Sequence, residues 1–313
     1  MIADFNRRNP ILVTGAHRSG TTWVGKMLTA SREAAYFSEP LNRNHRPGVL
    51  NAPVKHWYPY ICTQNEREYY QPFRRMFSFR YHAWEELKSL RSTKDALRMW
   101  RDWGVFLAGW LLNRRPLMKD PFAFFSSPWL AERFGCQVIF TVRHPAAFAS
   151  SLKRLNWPFD FKDLLDQPLL MRDWLAPFQQ DMQKALAQAD DIIGQSGLLW
   201  SILYQIMLRF QEIHSEFHVV RHEDLSNDPV NGYEKLYSDV GLHFSAKVRQ
   251  VIARSSSPGN PKEIAQKNIY GTRVDSRANL DNWKLRLTSA EIKRLRHLTE
   301  AVASRFYTEE DWD

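Results

Sequence analysis

Residues 14–23 read Thr-Gly-Ala-His-Arg-Ser-Gly-Thr-Thr-Trp, an order that suits a turn cradling an anion. A strand-like run, Ile-Leu-Val, precedes them, and a helix-like run, WVGKMLTAS, follows. A glycine-rich turn between strand and helix aims backbone N–H groups at a negative charge, and the helix N-terminus adds its dipole. Gly15 and Gly20 permit the turn, while His17, Arg18, Ser19, Thr21 and Thr22 add side chains to it. A nucleoside-triphosphate loop of this spacing carries Lys at the position of Thr21, where it reaches the last phosphates beside a Ser/Thr that binds Mg²⁺. Here the cation stands three positions earlier, as Arg18. The expected ligand is anionic at its 5′ end without being an ordinary triphosphate with its metal.

A second stretch, VIFTVRHPAAFASSL, ends a strand on Arg143 and opens a helix that carries Ser151 eight residues later. An Arg at a strand end can hold a phosphate by two parallel bonds, and a Ser on the second helical turn can close over the same group. Taken together, the two stretches resemble the sulfotransferases that use 3′-phosphoadenosine 5′-phosphosulfate. That family's loop shows a basic residue, Ser/Thr-Gly-Thr/Ser-Thr/Ser, then an aromatic. Arg18-Ser19-Gly20-Thr21-Thr22-Trp23 matches it throughout. The resemblance implies that His17 to Trp23 hold the 5′ end of the donor and that Arg143 and Ser151 hold its 3′-phosphate. It also implies that no metal is required and that the product is adenosine 3′,5′-bisphosphate. Near the C-terminus, NWKLRLT (282–288) is similar to a stretch of the cytosolic members, but the Arg-Lys-Gly triplet that accompanies it there is absent. Arg273 and Arg277 of YGTRVDSR are the expected substitutes for it.

Sulfuryl transfer needs a base for the acceptor hydroxyl and fixed cations for the charge that grows on the transferring and leaving groups. It also needs acceptor, sulfur and leaving oxygen roughly in line. Arg18 and Lys119 suit the cationic roles. Cytosolic members read Lys-x-His where this chain has Lys119-Asp120-Pro121, so their histidine base is absent. Glu39-Pro40 follows the second strand-like run, where carbohydrate-directed and bacterial members often carry a Glu-Pro with the Glu as base. Glu39 is the expected base, with Asp120 in reserve. A structural Glu capping a turn, and a Lys119–Asp120 ion pair, are the plainer alternatives.

These groups need a scaffold that gathers strand ends. Five runs have strand length, 11–16, 34–38, 116–120, 136–143 and 216–224, with helical patterns between them. Continuous apolar strands alternating with helices predict a buried parallel sheet, with helices on both faces and ligands outside the carboxyl ends of the strands. The expected architecture is α/β: one three-layer domain over 1–313, with a central parallel sheet and a P-loop-like phosphate-binding loop. Segments 42–84 and 153–195 break the alternation and read as insertions covering the acceptor site. Ten of the 28 residues from Trp57 to Trp84 are aromatic, and Trp57, Tyr58 and Tyr60 are the expected acceptor contacts, with Asp120 beside them. The same composition also fits a plain packed cover.

Composition narrows the remainder. The net charge of +9 points to an anionic ligand or surface, and residues 61–115 carry eleven Lys/Arg against six Asp/Glu. No run of eighteen apolar residues predicts a spanning helix, and the two cysteines form no metal-binding spacing. The expected protein is cytoplasmic and contacts no nucleic acid. Its expected partner is a hydroxyl-bearing acceptor, a sugar, a glycolipid or a small metabolite. Two alternatives remain open at this point: a kinase with an altered loop, and a non-catalytic polyanion-binding module.

Overall fold

The computed structural model describes residues 9–264 and 271–313. Its centre is a five-stranded, wholly parallel sheet in the order β2-β3-β1-β4-β5. The strands are β1 (Ile11–Gly15), β2 (Ala34–Ser38), β3 (Arg115–Lys119), β4 (Gln137–Val142) and β5 (His218–Arg221). Each lies within or beside one of the five runs read from the sequence. β1 and β3 are buried along their whole length, which is why their apolar residues run on without alternation.

Two cores fill the two faces. Ile11, Val13, Leu117 and Ile139 point to one side, with Val24, Met27 and Leu28 of helix α1 (Thr21–Leu28). Leu12, Met118, Phe140 and Val142 point to the other, beneath the helices Pro145–Leu155 and Ile192–Ile213. From β1 the chain runs out to β2, returns to β3, then crosses to β4 on the far side of β1. Strand connections therefore diverge around β1, and a crevice opens at its carboxyl end. Ser38, Lys119 and Val13 stand level in the register, as do Gly15 and Thr141. The residues just after them, Glu39, Asp120, the 16–20 loop and Arg143, reach that one rim.

The two irregular segments contribute residues to the core. Leu50, Tyr58, Ile61, Phe73, Met76 and Phe77 of 42–84 join the larger core, and so do Phe159, Phe161 and Leu164 of 153–195. Segment 42–84 also contains a helix, Tyr70–Phe77, and 153–195 contains Gln179–Ala187.

Candidate active site

The loop after β1 is held open by two glycines. Gly15 has φ 148°, and a Cβ there would stand 2.5 Å from the Thr141 carbonyl oxygen. Gly20 has φ 98°, and a Cβ there would meet His222 Nδ1 at 2.6 Å. Both neighbours are parts of the same rim. Gly20→Ala is expected to cost about 1–3 kcal/mol of backbone strain and to push His222 aside, which a denaturation midpoint together with nucleotide binding would measure. Arg18 adopts a left-handed conformation at φ 69°, as does Glu39 at φ 53°. Such conformations in ordinary residues gather where a site over-determines the backbone.

Ser19 serves the loop itself. Its hydroxyl donates to the Ala16 carbonyl (2.5 Å) and lies 2.6 Å from Thr141 Oγ1. His17 is boxed by Phe122, Phe148, Trp157 and Phe159, with its Nδ1 2.7 Å from the Tyr58 hydroxyl. Burial, with a smaller push from Arg18, holds His17 down at about 3, so it is neutral at ordinary pH. Trp23 anchors the start of α1 by donating to Ser255 Oγ (3.1 Å).

Arg143 and Ser151 converge on the same loop. The helix Pro145–Leu155 starts with Pro at its first position, and His144 caps it by accepting from the Ala146 N–H. Ser151 Oγ accepts from Arg18 Nε at 3.2 Å, and Arg143 donates through Nη1 to the Arg18 carbonyl at 3.0 Å. Among the described residues, Arg143 Nε is buried without a hydrogen-bond partner. A guanidinium donor left free in the wall of a cavity is available to an anion that enters it.

Two adjoining cavities meet at Arg18 and Arg143. The larger, about 140 Å³, takes its walls from the loop, Glu39, Trp57, Phe122, His222 and Asn279, among others. The smaller, about 50 Å³, is walled by Ser150, Ser151, Arg154, Trp283 and Arg286. There Glu263 pairs with Arg154 at 3.2 Å and with Arg286 at 3.0 Å, and Arg286 also donates to Ser150 Oγ at 2.7 Å. Arg273 and Arg277, expected here, are exposed and line neither cavity. Arg277 instead donates to the Asn227 carbonyl.

Lys119, Glu39 and Asp120 form one cluster at the ends of β2 and β3. Lys119 is fully buried, and its Nζ lies 2.5 Å from Glu39 Oε1, while Asn42 Nδ2 donates to Glu39 Oε2 at 2.9 Å. Lys119 is thus paired with Glu39. Asp120 is buried and accepts from the Leu41 and Phe122 N–H groups at 2.5 and 2.9 Å. Burial, then the Glu39 charge, pushes its carboxyl up to about 8, against those N–H groups and Lys119. The folded chain thus holds this proton more tightly than the unfolded chain, whose carboxyl lets it go near 3.8. The stability Asp120 contributes is present at low pH and is lost as pH rises through about 8. Thermal midpoints taken from about pH 6 to about pH 9 should fall more steeply in the native protein than in Asp120→Asn.

Glu39 has a second exposure. Beyond it lies a groove of about 590 Å³, walled by Lys26, Tyr36, His45, Arg46 and, from the helix Thr93–Leu111, Arg98, Arg101 and Phe106. Glu39 and Asn42 line both this groove and the larger donor-side cavity.

The aromatic residues singled out in the sequence separate in space. Trp57 lines the larger cavity against Phe122, with ring centroids 4.5 Å apart. Tyr58 is fully buried beneath the loop. Tyr60 faces a different cavity and donates to Asp173 at 3.0 Å. Residues that sequence reasoning passed over are His222, Asn279, Arg154 and Arg286. His222 directly follows β5, so the strand-end rule applied to it as well. Arg154 lies one helical turn after Ser151 and shares its face.

Residues 10–246 match the sequence profile described as "Sulfotransferase family". The chain belongs to the sulfotransferase family. Carbohydrate sulfotransferase 1 of Danio rerio is 26% identical over 179 residues, which make up 56% of this chain and 38% of that relative. The chain thus spans well under half the length of that relative. Among solved structures, the sulfotransferase domain of the Synechococcus PCC 7002 olefin synthase superposes over 97% of both chains at 17% identity and a TM-score of 0.48. Mouse sulfotransferase SULT7A1 complexed with PAP superposes over 98% of this chain and 86% of its own, at 14% identity and a TM-score of 0.43.

Proposed function

We propose that this chain transfers a sulfuryl group from 3′-phosphoadenosine 5′-phosphosulfate to a hydroxyl of a sugar, glycolipid or small metabolite, with Glu39 as the base. The observation that carries this reading is the position of Glu39. Its carboxylate lies against Lys119 in a wall shared by the phosphate-loop cavity and the large groove. A hydroxyl entering from the groove and a phosphosulfate held in the loop would meet there.

Each residue then has a task. The N–H groups of the loop, Arg18 and Thr21 receive the 5′ end of the donor. Arg143 and Ser151 receive its 3′-phosphate, with Arg154 and Arg286 close by, in competition with Glu263. The ribose and base fall to the wall of Trp23, His222 and Asn279. As the acceptor oxygen bonds to sulfur, the bond from sulfur to the 5′-phosphate oxygen breaks, and the acceptor proton passes to Glu39. Lys119 and Arg18 offset the charge on the sulfuryl oxygens and the leaving phosphate.

The test is transfer of radioactive sulfur from labelled donor to a panel of mono- and oligosaccharides, glycolipids and phenols, with Glu39→Gln as control. Label appearing in an acceptor with the wild type and not with the variant supports the proposal. Label that never leaves the donor, or that moves equally well in Glu39→Gln, counts against it.

A further inference from the structure

The helix Thr93–Leu111 buries only Phe106 and Gly109 fully against the protein. Leu97, Trp100, Trp103, Leu107, Trp110 and Leu111 all face outward, Trp100 at 66% and Trp110 at 54% exposure. Their spacing of three or four residues places them on one stripe of the helix. Trp84, on the preceding helix Ala83–Ser89, is 68% exposed. A contiguous exposed apolar patch of this kind marks an interaction surface.

A row of basic residues runs beside the stripe. Lys94, Arg98 and Arg101 stand at i, i+4 and i+7, and Arg91 precedes them. The acidic groups of the helix are already engaged: Asp95 with Arg46 and Arg98, Asp102 with Arg101. None of the ion pairs recorded among the described residues uses Arg91 or Lys94, so these charges face solvent. Tryptophan and leucine on one face with Lys/Arg alongside is the composition of a helix lying in a bilayer interface. No helix among the described residues is long and apolar enough to cross a membrane.

We infer that the stripe of helix Thr93–Leu111 docks on an anionic lipid surface, with Trp100, Trp103 and Trp110 among the acyl–headgroup boundary and Arg91 and Lys94 on lipid phosphates. Charge complementarity favours this occupant over a second copy of the chain. An antiparallel two-fold contact through the stripe would bring two like-charged rows together. Arg98 and Arg101 also wall the groove that ends at Glu39, so docking places the rim of that groove at the headgroup layer. The docking does not depend on the sulfotransferase reading.

Co-sedimentation with vesicles of phosphatidylcholine, with and without about one-third phosphatidylglycerol, tests the inference, with tryptophan emission as a second readout. The wild type should bind the anionic vesicles with a blue shift. The double variant Trp100→Ser/Trp110→Ser should lose at least about tenfold in partitioning. Arg91→Gln/Lys94→Gln should lose most of the preference for anionic vesicles, bringing binding down towards the weaker level seen with neutral ones. Every variant should keep the wild-type thermal midpoint and its stabilisation by adenosine 3′,5′-bisphosphate, which separates loss of docking from loss of fold or of donor binding. Absence of vesicle binding overturns the inference, and so does binding that ignores the tryptophan substitutions. A dimer that Trp100→Ser/Trp110→Ser dissociates, without vesicle binding, overturns it in favour of a contact between copies.

Discussion

Glu39→Gln is expected to lower kcat by about 10²–10⁴-fold, the usual contribution of a positioned general base, while nucleotide binding stays at the wild-type level. The substitution keeps the shape of the side chain, and an amide oxygen can still accept from Lys119 as Glu39 Oε1 does at 2.5 Å. It removes the ability to take a proton. The unfolding midpoint should fall under either role, because buried Lys119 loses its counter-charge, but a purely structural role would leave kcat nearly intact in the folded fraction. Measuring kcat at saturating donor and acceptor, beside the thermal midpoint, separates the two.

Arg143→Ala should weaken binding of a 3′-phosphorylated nucleotide by about 10²-fold or more, since it removes at least two charge-assisted hydrogen bonds of about 1.5–3 kcal/mol each. The partnerless, buried Nε of Arg143 and its contact with the Arg18 carbonyl place its fork between the two cavities. Arg143→Lys should restore only part of the loss, because an ammonium keeps the charge and loses the planar fork. Affinity for ADP, which has no 3′-phosphate, should change far less in both variants. Calorimetric titration of the two nucleotides into the three proteins gives the comparison.

Much of this frame was legible because burial on both faces leaves a plain signal. β1 and β4 stand out most plainly as buried apolar runs, and the loop after β1 announces itself by Gly15 and Gly20. The interval of eight from Arg143 to Ser151 combines a strand end with two helical turns, so spacing alone brought them near one another. Other features lie beyond spacing. Segment 42–84 is rich in aromatics whether they stack on a ligand or fill a core, and only the fold shows that the Tyr58 hydroxyl lies against His17, accepting from its backbone N–H. Arg273 and Arg277 lie closer in sequence to the expected place than Arg154 and Arg286 do, yet the helix Pro145–Leu155 and the turn at Asn282–Arg286 carry the latter pair to the cavity. The large groove was invisible because one of its walls is the helix Thr93–Leu111, which is apolar on its outer face as well as its inner one.

The most direct test of the central claim is a thermal-shift measurement with adenosine 3′,5′-bisphosphate beside ADP, each with and without Mg²⁺. A ligand at about 100 times its Kd adds about 2.7 kcal/mol of stability. A site for the phosphosulfate donor predicts a large upward shift with the 3′-phosphorylated nucleotide, indifferent to Mg²⁺, and little with ADP. An equal or larger shift with ADP and Mg²⁺ would contradict it and return the loop to a triphosphate-using enzyme.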